Sequence, residues 1–166
     1  MKFKNPLLVV SDLQKSKQFY KEVLGLRVIM DFGANVTLTG GIALQTKETW
    51  LEFIQAKNEE IVFGNKATEL YFEENNFDSF IQKLNSLSDI HFVHPMIEHR
   101  WGQRVVRFYD PDKHIIEVGE NLKSVCLRFL NAGLTKAEIA VRMDIPLKLV
   151  EKLLKEPLAS FSKTDS

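Results

Sequence analysis

The chain states one pattern twice. Leu7–Val10, a short apolar run, leads through Ser11-Asp12-Leu13 into a helical stretch ending at Leu24, followed by Leu26-Arg27-Val28-Ile29. The same order returns as Tyr71-Phe72-Glu73, then Asn76-Phe77, a helical stretch to Leu87, and Ile90-His91-Phe92-Val93. Asp12 corresponds to Asn76, Leu13 to Phe77, Tyr20 to Leu84 and Leu26 to Ile90. Self-similarity over a whole supersecondary unit constrains the fold more than any single motif does. It implies a pseudo-symmetric α+β domain with a cleft between the copies, and such interfaces are where small molecules usually bind.

Each copy extends to a strand, a helix and three strands. In the first, Leu7–Val10 reads as a buried strand bounded by Pro6, and Ser11-x-x-Gln14 as a capping box for the helix. Gly25 suits the left-handed residue at the helix end, and residues 26–31, 35–39 and 42–46 read as strands. In the connector 47–66 a short helix is expected over 49–56, with Trp50, Phe53 and Ile54 inward. The second copy reads as a strand over 68–73 and a helix over 77–87 with Phe77, Phe80, Ile81 and Leu84 on one face. Strands over 90–94, 103–109 and 114–119 follow, the last two joined by the turn Asp110-Pro111-Asp112-Lys113. From Asn121 the pattern is helical: 125–130, a helix capped by Thr135-x-x-Glu138 and running to Met143, and one from Pro146 to about Lys155. The expected organisation is a domain over 1–120, with units of about 1–47 and 67–120, a helical appendage over 121–158 and a flexible tail over 159–166.

Lys plus Arg number 22 and Asp plus Glu number 22, so bulk charge gives no reason to expect a nucleic-acid or membrane partner. No apolar run approaches a membrane span, and Met1–Pro6 lacks the apolar core of a signal peptide. The single cysteine, Cys126, forms no internal disulfide framework and fits a reducing compartment. A cytoplasmic protein is expected.

Strand alternation puts Glu69 and Tyr71 on the face opposite Leu70 and Phe72, and Glu117 opposite Ile116 and Val118. If Leu70 and Phe72 pack on the helix, Glu69, Tyr71 and Glu117 face the cleft. There Glu69 or Glu117 can serve as a general base, or each can be held in a salt bridge by Arg104 or Arg107. His94-Pro95 and residues 98–102 read as a loop at the cleft rim. His99, Arg100 and Trp101 are either substrate contacts or ordinary surface residues. As contacts, Trp101 offers a broad rigid surface and Arg100 a grip for carboxylate or phosphate. Phe19, Tyr20, Phe72, Phe80 and Phe108 read as core, and Cys126 as a small buried residue. Residues 134–155 resemble a helix-turn-helix, but Glu151 sits among Lys148, Lys152 and Lys155, so DNA reading is not expected. The apolar content of these helices predicts a homodimer.

Taken together, Val10-Ser11-Asp12-Leu13, Phe19-Tyr20, Leu24-Gly25, Phe108-Tyr109-Asp110-Pro111-Asp112 and Ile116-Glu117 resemble the vicinal-oxygen-chelate superfamily over about residues 3–120. That superfamily includes glyoxalase I, bleomycin- and fosfomycin-resistance proteins and extradiol dioxygenases. The resemblance implies tandem βαβββ units whose strands form a curved mixed sheet around a cleft, here with a C-terminal three-helix appendage. In metal-using members four side chains hold a divalent ion that polarises substrate oxygens. The matching positions are Asn5, Gln45, Glu69 and Glu117. Asn5 and Glu69 stand where histidine is usual, Gln45 where glyoxalase I has glutamate, and Glu117 matches the last carboxylate. Such an oxygen-rich set favours magnesium or manganese over zinc or nickel. The expected function is a glyoxalase- or bleomycin-resistance-like protein that binds a small molecule, with Tyr71, His99, Arg100, Trp101 and Arg107 as contacts. It is a lyase or isomerase if a divalent metal binds, and a metal-free sequestering protein otherwise. A further alternative is a ligand-responsive regulator that uses the C-terminal helices.

Overall fold

The computed structural model describes residues 1–156. The expected tail, residues 159–166, lies outside the described residues. The elements run β1 (Leu7–Val10), α1 (Leu13–Leu24), β2 (Val28–Asp31), β3 (Asn35–Leu38), β4 (Ala43–Thr46) and α2 (Lys47–Ile54). After a 3-10 turn at Asn58–Glu60 come β5 (Glu69–Glu74), α3 (Phe77–Ser86), β6 (His91–Glu98), β7 (Arg104–Tyr109) and β8 (Ile115–Glu120). Three helices close the chain: α4 (Leu122–Asn131), α5 (Lys136–Met143) and α6 (Leu147–Lys155). The tandem βαβββ architecture with a helical C-terminus is therefore present. Its strands form two four-stranded sheets, in the orders β1-β4-β3-β2 and β5-β8-β7-β6.

The repeat holds residue by residue. Asp12 and Asn76 are the N-caps of α1 and α3. Leu13 and Phe77 are the first helical residues and are buried, as are Tyr20 and Leu84 two turns later. Equivalent positions meet equivalent environments because each helix lays the same face on its own sheet.

The chain forms two compact units. The first comprises Met1–Glu69 and Tyr109–Ile115, the second Leu70–Phe108 and Ile116 onward. In the first, β1 pairs with β4 in parallel, and β3 is antiparallel to both β2 and β4. Val10, Leu13, Tyr20, Val36, Leu38 and Leu44 form its core. The Asp110–His114 turn is tied into this unit by buried polar contacts. Asp110 accepts from the Tyr20 hydroxyl at 2.9 Å and from the amides of Asp112 and His114. Asp112 accepts from the amide and hydroxyl of Ser11.

That last contact corrects one expectation. Ser11 does not cap α1, because its hydrogen-bonding groups go to Asp112. Asp12 does so instead, accepting from the Lys15 amide at 3.0 Å. A second correction concerns α2, where Phe53 and Ile54 are exposed rather than inward. The helix starts at Lys47, directly after β4, and the Thr49 hydroxyl bonds back to Gln45 and Thr46, which fixes its rotation.

In the second unit α3 packs its Phe77, Phe80 and Leu84 face inward, with the Phe80 and Phe108 rings 6.4 Å apart. Arg104 lies on the same side of β7 as Phe108, over the Phe77 ring. β6 is longer than expected and runs through Pro95. It is an edge strand, where proline's missing N–H costs no ladder bond. The helices α4, α5 and α6 enclose their own core of Val125, Cys126, Phe129, Ile139, Met143 and Val150, with Leu130, Leu153 and Leu154 against it. Val141 and Leu147 remain exposed on the outside of this group. The Thr135–Glu138 capping box is formed in both directions.

Glu120, 3% exposed, joins these parts. Arg104 and Arg128 both donate to its carboxylate, Arg104 at 3.0 Å through two nitrogens and Arg128 at 3.1 Å. Burial pushes the Glu120 carboxyl up, and the two guanidinium groups more than reverse this, holding it below its ordinary value. Its stabilisation is therefore complete above the ordinary glutamate range of about 4.3 and is lost as pH falls through the lower folded value. Glu120→Gln should cost about 1–3 kcal/mol in chemical denaturation at neutral pH, at the low end for a buried pair because Arg104 and Arg128 retain Asp78 and Glu98. The gap from wild type should narrow in acid. A variant as stable as wild type at neutral pH would show that the node is dispensable.

Candidate functional site

The strand periodicity of the second unit separates two faces. Arg104, Val106 and Phe108 of β7 lie toward α3, so Val105, Arg107 and Tyr109 lie on the other face, as does Gln103 by the same parity. On β8 the matching residues are Ile115, Glu117 and Gly119. The buried Glu117 carboxylate is paired there with Arg107. Arg107 also donates toward His94 Nε2 at 3.3 Å. His94 Nδ1 lies 2.8 Å from the Pro95 carbonyl, which can only accept, so the ring carries its proton on Nδ1 and offers Nε2 to Arg107.

Beside this pair stands an aromatic group. His99 stacks on Trp101 with ring centroids 4.2 Å apart. Trp101 Nε1 donates to Gln103, and Gln103 Nε2 donates to the Tyr71 hydroxyl at 2.8 Å and to the Glu120 carbonyl at 2.9 Å. Tyr71 stands on β5 and reaches Gln103 across β8. The crossing passes over Gly119, where a Cβ would lie 2.9 Å from Gln103 Nε2 and 3.1 Å from the Tyr71 oxygen. Glycine at 119 is thus the condition for the Tyr71–Gln103 bond. Burial raises the Tyr71 pKa, so the phenol stays protonated and donates to Glu73 at 3.2 Å. Burial also lowers the His99 pKa, and the charge of Arg107 lowers it further.

The structure thus brings His99, Trp101, Arg107, Glu117 and Tyr71 onto connected positions of one unit. Arg100 is not among them: its side chain is exposed and lies 3.8 Å from Asp144. Gln103 and His94 complete the group. Sequence reasoning passed over Gln103, although its parity with Arg107 marks the face.

The four positions implied for a metal fare differently. Gln45 is buried in β4, its oxygen accepting from Asn35 at 2.7 Å and its nitrogen donating to Thr49. Asn5 makes one long contact of 3.5 Å to the Pro6 carbonyl. Glu69 is exposed at the start of β5, and Glu117 is held by a guanidinium. Two amides, one of them committed, and a carboxylate already beside a positive charge do not fit a divalent ion. Among the described residues no group of three or more His, Cys, Asp or Glu side chains could hold one.

Two measurements test this geometry. In an NMR titration His99 should lose its proton below the ordinary histidine value of about 6.5, and Arg107→Gln should raise that midpoint partway, with burial holding the rest. Gly119→Ala should leave the fold intact but displace the Tyr71 ring, seen as altered Tyr71 and Gln103 side-chain resonances.

The comparisons with known proteins agree with the fold. The Glyoxalase-like domain family model matches residues 3–123. A protein of unknown function from Agrobacterium tumefaciens is 39% identical, with a TM-score of 0.66 over 73% of this chain and 94% of that one. A glyoxalase-related enzyme from Fulvimarina pelagi is 17% identical, with a TM-score of 0.61 over 74% and 90%. A glyoxalase/bleomycin resistance protein/dioxygenase family enzyme from Burkholderia phytofirmans is also 17% identical, with a TM-score of 0.61 over 70% and 96%. No curated protein matches the sequence. The family match ends in the first turn of α4, so most of the helical segment lies beyond it. On the tandem βαβββ units and the match to residues 3–123, the chain belongs to the glyoxalase-like family, within the vicinal-oxygen-chelate superfamily.

Proposed function

We propose that this protein binds a small molecule without a metal, on the face of the second sheet turned away from α3. The observation that carries this reading is the Arg107–Glu117 pair. The carboxylate that the resemblance assigns to a metal has a guanidinium as its counter-charge, and one of its two oxygens is taken up by that pair. A fixed positive charge at that point can orient a polar ligand but cannot replace the Lewis acid of a metal-dependent lyase or isomerase. The rest of the group suits recognition. Trp101 and His99 form a flat wall, and Tyr71 and Gln103 supply polar groups held by each other. A planar molecule bearing oxygen acceptors fits this combination.

Metal analysis and ligand screening test the reading together. Purified protein should carry far less than one equivalent of zinc, nickel, manganese or magnesium, and added metal should leave its thermal midpoint unchanged. Small aromatic fragments should perturb the Trp101 indole resonance, an effect that Arg107→Ala weakens and Trp101→Ala abolishes. Stoichiometric zinc or nickel, lost in Glu117→Gln, would overturn the proposal and restore a metal-dependent enzyme.

We propose further that the protein is a homodimer. The support comes from the edge strands, not from the helices. Ile29 and Met30 of β2, with Phe32 just after it, are exposed, as are Phe92, Met96 and Ile97 of β6. Unpaired apolar edges are the surfaces that a second chain covers. Sedimentation at micromolar concentration should give a dimer, and Ile29→Lys with Met30→Glu should shift it to monomer. Wild type sedimenting only as monomer would refute this.

A further inference from the structure

The first unit holds a cavity of about 290 Å³ that the reading above does not use. Leu7 and Val9 of β1 line it, with Phe63 and Lys66 from the segment before β5, and Lys113 and His114 from the Asp110–His114 turn. Its size suits a small organic molecule.

His114 has one ring nitrogen fixed. Nδ1 lies 2.8 Å from Asp110 Oδ2, the oxygen that also accepts from the Tyr20 hydroxyl. A carboxylate acceptor there selects the Nδ1–H tautomer and leaves Nε2 as an acceptor for a ligand hydroxyl. The Phe63 ring meets His114 edge-on, with centroids 6.1 Å apart, and continues the apolar wall of Leu7 and Val9. Lys66 and Lys113 form no ion pair among the described residues. The acid beside them, Glu60, is taken up as an acceptor by the Lys57 amide at 2.7 Å. Both lysines have positive φ, 58° and 65°, a conformation that residues with a Cβ adopt at a cost and that clusters at ligand sites. Gly64 lets the Lys113 stem lie close: a Cβ there would stand 3.3 Å from Lys113 Cδ. The cavity is therefore lined by two lysines that make no ion pair among the described residues, one hydrogen-bond acceptor and an apolar wall.

We propose that this cavity is a second ligand site, taking a small hydroxycarboxylate with an apolar body. Lys66 and Lys113 take the carboxylate, His114 Nε2 accepts the hydroxyl proton, and Leu7, Val9 and Phe63 take the apolar body. The recognition rests on charge and on one oriented hydrogen bond, so each element can be removed from the ligand separately.

The test is an amide NMR titration with mandelate, which carries all three elements, beside phenylacetate, which lacks the hydroxyl, and mandelamide, which lacks the charge. Mandelate should give saturable shifts at Gly64, Asn65, Lys113 and His114, and the other two should bind at least about tenfold more weakly. The double variant Lys66→Asn, Lys113→Asn should lose mandelate binding. Asparagine tolerates positive φ, so its spectrum elsewhere should stay that of the folded protein. No saturable shifts, equal binding of the three probes, shifts centred elsewhere, or binding retained by the double variant would each overturn the proposal. The reporting residues all lie in the first unit, so the outcome is independent of the site proposed on the second.

Discussion

Glu120 is the point on which the second unit is assembled. It ends β8 with its side chain toward α3, where Arg104 bridges it to Asp78 on the helix. From the other direction Arg128 of α4 reaches the same carboxylate and continues to Glu98 at the end of β6. One buried negative charge thus connects the sheet, the helix packed on it and the C-terminal helices. A buried carboxylate with one partner gains little over an apolar residue, because desolvation offsets the attraction. With two guanidinium partners it becomes strongly dependent on both. The arrangement therefore specifies which helix meets which strand more than it adds raw stability.

The same contacts carry the loop between β6 and β7. The Gly102 carbonyl accepts from Arg128, and the Arg100 carbonyl from Arg142. A side chain at Gly102 would run into the Phe129 ring of α4, and φ there is +87°. This loop bears His99 and Trp101, the aromatic wall of the proposed site. The three helices, most of which lie beyond the family match, thus have a role that needs neither DNA nor a second subunit: they fix the backbone from which those two rings project. Trp101 extends this to the side chains, since its partner Gln103 also bonds to the Glu120 carbonyl.

Most of the fold was legible in the sequence because the repeat is a statement about environments. Asp12 and Asn76 both stand at the N-cap position, and Leu13 and Phe77 both enter a core, so one pattern read twice gave two helices correctly placed. Local signals misled where a distant partner competed. Ser11 looked like a cap, but Asp112, far away in sequence, is the acceptor it meets. Proline in His94-Pro95 looked like a loop, and only the sheet order shows that β6 is an edge that tolerates it. The candidate site was legible in part. Alternation put Glu117 and Tyr71 on named faces and left the partner of Glu117 open between Arg104 and Arg107, but neither Gly119's role nor Gln103's appears until the side chain of β5's Tyr71 is seen to cross β8. The pairing of Arg100 with Asp144, the residue that ends α5, was not legible, because no local pattern encodes where that helix packs.

A change of chemistry within an unchanged fold needs only that each donor find another partner. A metal site requires several electron-pair donors with no closer obligation, since the ion must outcompete whatever else they bind. In this chain Gln45 is committed to Asn35 in its own sheet and to Thr49 on α2, and Glu117 to Arg107 across one strand pair. Neither commitment disturbs the strand that carries it: Gln45 and Glu117 both stand in regular β-structure. The guanidinium then supplies, as part of the protein, the positive charge that an ion would bring in from solution. Arginine delivers that charge with fixed direction and through N–H donors rather than an empty coordination position. On the reading proposed above, such a centre holds and orients a ligand's oxygens. It cannot accept their electron pairs, and that difference separates a binding protein from a Lewis-acid enzyme on the same scaffold.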